Sequence, residues 1–277
     1  MLLSRIFIAF FFFFFVTCNA LQCITNCWYT YKLTTPFSIP SNCNQSVSAG
    51  KCRASLSFTY GVADYIIEFE AASSNVITDI ENLHQTSLIL PSTGLLYFTY
   101  DIKYACNDKD DCAQELAKNA SIEMLQRQAD NPEIREKLTS FIKSPILTSN
   151  NSNISCYDSN ENERQCSTLT QRRSCVISHN IFQNKIDRSC DDRTLGGVVS
   201  INIFQTPSSA AFIIYCNQVL CNTNSTLQKV KDIMFEYNVT ATSDGRLIDV
   251  EYVGNYEFKL MISIPLMIMM IFSLLLN

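Results

Sequence analysis

Stretches rich in apolar, β-branched and aromatic residues fall in four pairs along the chain, and each pair encloses a turn-forming segment. Ala54 to Tyr60 and Ala63 to Glu70 bracket Gly61, and Ser87 to Leu90 and Leu95 to Tyr104 bracket Pro91-Ser92-Thr93-Gly94. Farther on, Ser174 to Phe182 and Ile186 to Cys190 flank Gln183-Asn184-Lys185, while Val198 to Phe204 and Ala211 to Tyr215 flank the loop Gln205 to Ala210. Their β-branched and aromatic enrichment predicts strands, with alternation imperfect in Leu95 to Tyr104 so that both faces are expected to be partly covered, and the Gly, Pro, Asn and Ser between them predict four hairpins. After each half the period changes to that of a helix. Asp111 to Gln114 has capping-box spacing before Leu116, Ala117, Ala120 and Met124, and Asn131-Pro132 restarts a helix with Ile134, Leu138, Phe141 and Ile142 on one face. Ser225 to Gln228 repeats the cap before Leu227, Val230, Ile233, Met234 and Tyr237. Neither polar face is rich in Lys or Arg, so these helices are expected to cover a sheet rather than lie on a membrane. Ser73 to Gln85 fits none of these elements and reads as an insertion.

Both ends of the chain are apolar. Arg5 precedes the unbroken run Ile6 to Val16 and then Cys18-Asn19-Ala20, the layout of a secretory signal peptide over residues 1–20; the run is too short to cross a membrane. Leu260 to Leu276 is seventeen residues without a charge, about 25 Å as a helix and shorter than the ~30 Å hydrocarbon core. Lys259 lies on the wrong side of it for a stop-transfer segment. A glycosylphosphatidylinositol (GPI) signal fits better. Small residues Ser243-Asp244-Gly245, a polar spacer and the apolar tail 260–276 place attachment at Ser243 and remove 244–277. The alternative is a single-pass membrane protein.

Thirteen cysteines become twelve when Cys18 leaves with the signal, an even number that implies six disulfides in an oxidising compartment. The six sequons, at Asn44, Asn119, Asn150, Asn153, Asn224 and Asn238, agree with that route and mark exposed surface. Without Arg5 the chain has 20 basic and 26 acidic residues, net −6 and no basic cluster, which gives no support to nucleic-acid binding. The polar joint Thr148 to Ile154 divides the cysteines evenly, predicting a first domain at 21–147, a linker at 148–155 and a second domain at 156–240. The region Cys156 to Cys221 is 66 residues, a size at which one apolar core is small, so its disulfides are structural necessities.

One stretch is more specific. In Tyr215-Cys216-Asn217-Gln218-Val219-Leu220-Cys221-Asn222, two cysteines enclose four residues after an apolar strand, and Asn222 can turn its amide onto local backbone. Tyr104-Ala105-Cys106 to Cys112 is a looser copy, with Ala113 in place of the final Asn. This clasp resembles the closing bridge of three-finger domains, the family of snake toxins, lymphocyte antigen 6 proteins and the urokinase receptor. The resemblance implies a small, disulfide-rich, mainly β fold with two three-finger-like domains, each followed by an amphipathic helix. It also implies pairings among the fifteen that six cysteines allow per domain. In the second domain these are Cys156-Cys175, Cys166-Cys190 and Cys216-Cys221; in the first, Cys23-Cys43, Cys27-Cys52 and Cys106-Cys112.

Catalytic and metal chemistry find little purchase. His84 and His179 are the only histidines and lie in no catalytic motif; no GxSxG elbow, HExxH helix or phosphate loop occurs. Asp108, Asp110 and Asp111 lack the Gly and terminal Glu of a calcium loop and read as an acidic turn with a helix cap. No enzyme, metal or cofactor is therefore expected. The expected function is extracellular binding or adhesion at the finger tips, towards a protein or surface ligand, on a chain anchored by lipid in the outer leaflet of the plasma membrane. The alternative is a glycosylated surface coat without a dedicated ligand.

Overall fold

A computed structural model describes residues 20–32, 34–60, 64–91, 96–127, 132–143, 154–166, 174–191 and 199–248. The chain is mainly β. The first half contributes β1 (Leu21–Ile24), β2 (Cys27–Lys32), β3 (Ser46–Ala49), β4 (Lys51–Thr59), β5 (Asp64–Ala72), β6 (Leu83–Leu90) and β7 (Tyr97–Cys106), then helices α1 (Cys112–Arg127) and α2 (Pro132–Ile142). The second contributes β8 (Ser155–Tyr157), β9 (Glu163–Gln165), β10 (Ser174–Asn180), β11 (Lys185–Asp191), β12 (Val199–Gln205) and β13 (Ala210–Cys216), then helix α3 (Asn224–Glu236).

Nine of these strands form one antiparallel sheet in the order β11-β10-β13-β12-β6-β7-β4-β5-β2. The expectation of two separate domains therefore meets a sheet that does not stop between them. β6 and β12 pair from Leu90 opposite Val199 to His84 opposite Gln205. On either side of this central pair the order is mirrored, with β13, β10 and β11 matching β7, β4 and β5. Because the pair is antiparallel, the halves are related by a local two-fold axis, and the finger tips of one lie at the same end as the disulfide base of the other. An internal repeat has thus joined itself as a symmetric dimer does, with the same surface used on both sides.

Alternation explains which face is buried. Along β4, Ala54, Leu56 and Phe58 point inward while Arg53, Ser55 and Ser57 point outward. Tyr31, Tyr65 and Phe58 stack across three strands, with ring centroids 5.1 and 5.2 Å apart. Each such side chain contributes about 1.5–3 kcal/mol by leaving water. α1 lies on β4 and β7 through Ala113, Ala117 and Ala120, small residues that bring the helix close to the sheet, and through the fully buried Met124. α3 packs against α2 and buries Leu227, Val230 and Met234. Its cap is Thr223, which accepts from Thr226 N at 3.0 Å, two residues before the Ser225 the sequence suggested.

All twelve cysteines from Cys23 to Cys221 are bridged. The second half holds Cys156–Cys175, Cys166–Cys190 and Cys216–Cys221. In the first half Cys106 joins Cys112, but Cys23 pairs with Cys52 and Cys27 with Cys43, correcting the expected Cys23-Cys43 and Cys27-Cys52. The reason is strand order. Cys27 lies on β2, outside β5, while Cys52 lies on β4, inside it, so two strand spacings of about 9.6 Å separate them, more than the ~4.4–6.8 Å a disulfide spans. Matching cysteines by their order misleads; matching them by strand does not. Cys52 stands beside Cys106 on paired strands as Cys175 stands beside Cys216, so Cys23–Cys52 is the counterpart of Cys156–Cys175.

The same symmetry locates the role of the clasp asparagine. Asn222 is fully buried and reaches far from its own loop. Its Oδ1 accepts from Tyr157 N at 2.9 Å, and its Nδ2 donates to Tyr157 O at 2.8 Å and to Val176 O at 3.2 Å. In the first half Ala113 cannot do this, and two aspartates replace part of the bonding. Asp111 Oδ1 accepts from Ile24 N at 3.0 Å, while Asp110 accepts from Gln22 N at 2.9 Å. Ile24 follows Cys23 as Tyr157 follows Cys156, so both clasps hold the same strand. The aspartates thus serve β1, with Asp111 also opening α1 through its carbonyl. Asn222→Ala is expected to cost roughly 2–4 kcal/mol, because it leaves the Tyr157 N–H and C=O of β8 without partners and removes a further bond to Val176 O of β10, and a denaturant midpoint on the folded protein measures it. Asp111→Ala should cost less, since its donor is nearer water.

Candidate interaction surface

One face of the nine-stranded sheet carries the helices; the other presents rows of side chains that the pairing registers define. One row runs Asp101, Gln85, Phe204, Ala211, Asn180 and Lys185. The next runs Thr99, Ser87, Asn202, Ile213 and Ser178, ending at Asp187. A third runs Tyr97, Ile89, Ser200, Tyr215 and Val176. β6, β12 and β13 contain no Asp, Glu, Lys or Arg, and β10 contains only His179, which points to the other face. A charge-free patch of small hydroxyls, an amide and half-buried apolar side chains therefore spans four strands. Charges begin only at its sides, on β7 and β11.

The polar groups here are ordered among themselves. Ser87 donates to Asn202 Oδ1 at 2.7 Å across the junction of the halves, and Asn202 Nδ2 donates to Ser200 at 3.2 Å. Tyr97 is 44% exposed at one margin, and Trp28 on the edge strand β2 is 60% exposed beyond it. A charge-poor centre with aromatic groups and a charged rim is the composition of a protein-binding surface.

Glycosylation sites avoid this face. Among the described residues, none of the four sequons falls on a strand of the sheet: Asn119 is exposed on α1, Asn224 and Asn238 are exposed at the two ends of α3, and Asn44 lies in the loop before β3. Asn150 and Asn153, with most of the expected linker, lie outside the described residues, as do the signal peptide and the tail 260–276. The third fingers of the two halves pair with each other, so they are not free as separate fingers. Ser208 at one tip contacts Asp79 of the segment that reads as an insertion. That segment is bound to the sheet through Glu81. Burial opposes its charge, but Lys51, Thr78 and Arg53 outweigh this and hold the Glu81 carboxyl at about 2.

The two histidines are interior groups. His84 is 4% exposed between the sheet and α1, with Nδ1 3.3 Å from the Tyr100 hydroxyl; burial, and then the Arg127 guanidinium, push its pKa down to about 4. His179 faces Lys231, whose Nζ donates to Nδ1 at 2.6 Å, and its Nε2 donates to Asn184 Oδ1 at 3.2 Å. An ammonium can only donate and an amide oxygen only accept, so this imidazole is neutral with its proton on Nε2. Burial lowers the pKa of both, Lys231 to about 8. The groupings Cys106-Asp108-Cys112 and Cys156-Cys166-Cys190 place donor atoms close together, but their sulfurs are in disulfides and offer no thiolate.

The chain matches no known protein-family model, and no curated protein is significantly similar to it. Among the described residues, no helix is long and apolar enough to cross a membrane.

The expected anchor residue Ser243 is exposed, but the chain beyond it belongs to the core. Gly245, at φ +98°, packs so closely that a Cβ would lie 2.7 Å from the Phe212 ring. Leu247 is fully buried. Gln205, 1% exposed, accepts from Leu247 N at 2.8 Å and Ile248 N at 3.1 Å and donates to Ile248 O at 3.1 Å, pairing with this segment as a strand would. Arg127 donates to Val239 O and Leu247 O at 3.1 and 3.0 Å. Attachment at Ser243 would remove Leu247 and leave Gln205 without these partners, so the packing argues against cleavage after Ser243.

Proposed function

We propose that this chain is an extracellular binding or adhesion module, held at the cell surface by a lipid anchor attached beyond Ile248, which engages its partner through the bare face of the sheet. The observation that carries the reading is its sidedness. Among the described residues, exposed sequons decorate the helical side and the loop before β3, whereas the opposite face is free of sequons and, over four strands, of charge. The resemblance to three-finger proteins is supported by the two clasps, each tying the strand after its first cysteine. The recognition surface moves from the tips to the face, because the third fingers are paired with one another.

Phosphatidylinositol-specific phospholipase C should release the protein from intact cells; retention while an anchored control is shed would favour a single span. A screen of the ectodomain against extracellular proteins should find a saturable partner, lost in Ile213→Asp and Tyr215→Asp variants that keep the six disulfides. No partner, from a fully folded ectodomain, would instead favour a protease-resistant coat.

A further inference from the structure

We infer that the occupant of the bare face is a second copy of this chain, packed sheet to sheet; this deepens the proposed function by naming the partner, and rests on that face being the binding surface. Charge placement points to self-association. The row containing Gln85, Phe204, Ala211 and Asn180 has Asp101 at one end and Lys185 at the other, with no charge between. A two-fold axis running along the strands between β12 and β13 lays that row over itself in reverse. Asp101 of each copy then stands opposite Lys185 of the other, while Phe204 and Ala211 meet in the middle. Aligned sheets pack face to face in this way when their inner faces are uncharged. The neighbouring rows bring Ile213 and Tyr215 to the same axis. Lys185 already has Asp187 as a neighbour at 3.0 Å, so the pairing adds to an existing cluster rather than burying an isolated cation.

The size of the face agrees. Six strands at about 4.8 Å and three rows at about 6.8 Å give about 600 Å² per copy, near 1,200 Å² for the pair, the lower end for a specific interface. Such an interface is weak in solution and gains from confinement of both copies to one membrane. A glycan on this face would hold the copies apart, and none of the four sequons among the described residues supplies one. The face carries no net charge that would select an acidic or basic partner.

Sedimentation velocity of the glycosylated ectodomain, up to about 100 μM, should show a reversible dimer. Ser87→Asn combined with Ile89→Thr creates a sequon at the centre of the face; the glycan should abolish the dimer while secretion and the disulfide map stay unchanged. Asp101→Lys and Lys185→Asp should each weaken the dimer about tenfold, and the two together should restore it, a pattern that misfolding does not produce. A monomer at every concentration, or a dimer indifferent to the glycan, would overturn the inference. A monomer that binds another protein through this face would overturn the inference and leave the proposed function standing.

Discussion

An ectodomain ending at Ser243 is expected to lose most of its stability, whereas one ending at Ile248 keeps it. The shorter chain lacks Leu247, and removing a fully buried Leu costs about 2–5 kcal/mol. It also strips the Gln205 amide of three hydrogen bonds and Arg127 of one acceptor, each orphaned buried group adding roughly 1–3 kcal/mol. Against a total of about 5–15 kcal/mol, that loss is enough to prevent secretion of most of the chain. Thermal denaturation and secretion yield of the two truncations provide the comparison. Equal melting temperatures would show that the last residues only lie on the surface. Gln205→Ala in the longer chain should reproduce part of the loss, since it removes the same hydrogen bonds without shortening anything.

Acid should begin to destabilise the fold near pH 6.5, above the range where carboxylates titrate. The folded pKa of His84, about 4, lies below the ordinary 6.5, so as pH falls the unfolded chain takes up a proton first. The contribution is whole above about 6.5 and is lost progressively as pH falls through about 4. For a shift of this size it amounts to about 3 kcal/mol. His179 acts in the same direction, because burial and the adjacent Lys231 ammonium oppose a second charge. Urea denaturation at a series of pH values should show stability declining from pH 6.5, and His84→Gln should flatten that decline while lowering stability at neutral pH. Parallel curves for the variant and the parent between pH 6.5 and 4 would contradict the assignment.

Much of the fold is visible in the sequence. The four hairpins fall where the β-branched and aromatic stretches and the turn residues between them place them, within a few residues. The clasp is visible too, since its spacing is local. Pairing of β6 with β12 is not, because nothing local records which strand edges meet. A signal does exist in the absence of charge: Asn82 to Tyr100 and Thr194 to Gln228 contain no Asp, Glu, Lys or Arg, although 17% of the chain is charged. The start of β6 falls in the stretch that reads as an insertion because His84, an inward-facing residue, is polar and breaks the alternation at Leu83 to Gln85. β1, β2 and β3 leave no clear pattern, being short or at an edge. The expected Cys23 and Cys27 pairings fail because cysteine order does not show that β5 intervenes. In the sequence Asp111 reads only as a helix cap, while its carboxylate holds β1 from the other side of the cysteine that Asn222 would have followed.

The central claim is that the two halves form one sheet through β6 and β12. No disulfide crosses between them, so only non-covalent contacts and the linker hold the halves together. A protease site placed between Thr148 and Asn153 allows the linker to be cut in the folded protein without reducing any bridge. Size-exclusion chromatography of the cut protein in native buffer should show both pieces eluting together, and they should separate in denaturant without reductant. Pieces that part in native buffer, each still folded, would contradict the shared sheet and return the molecule to two independent domains.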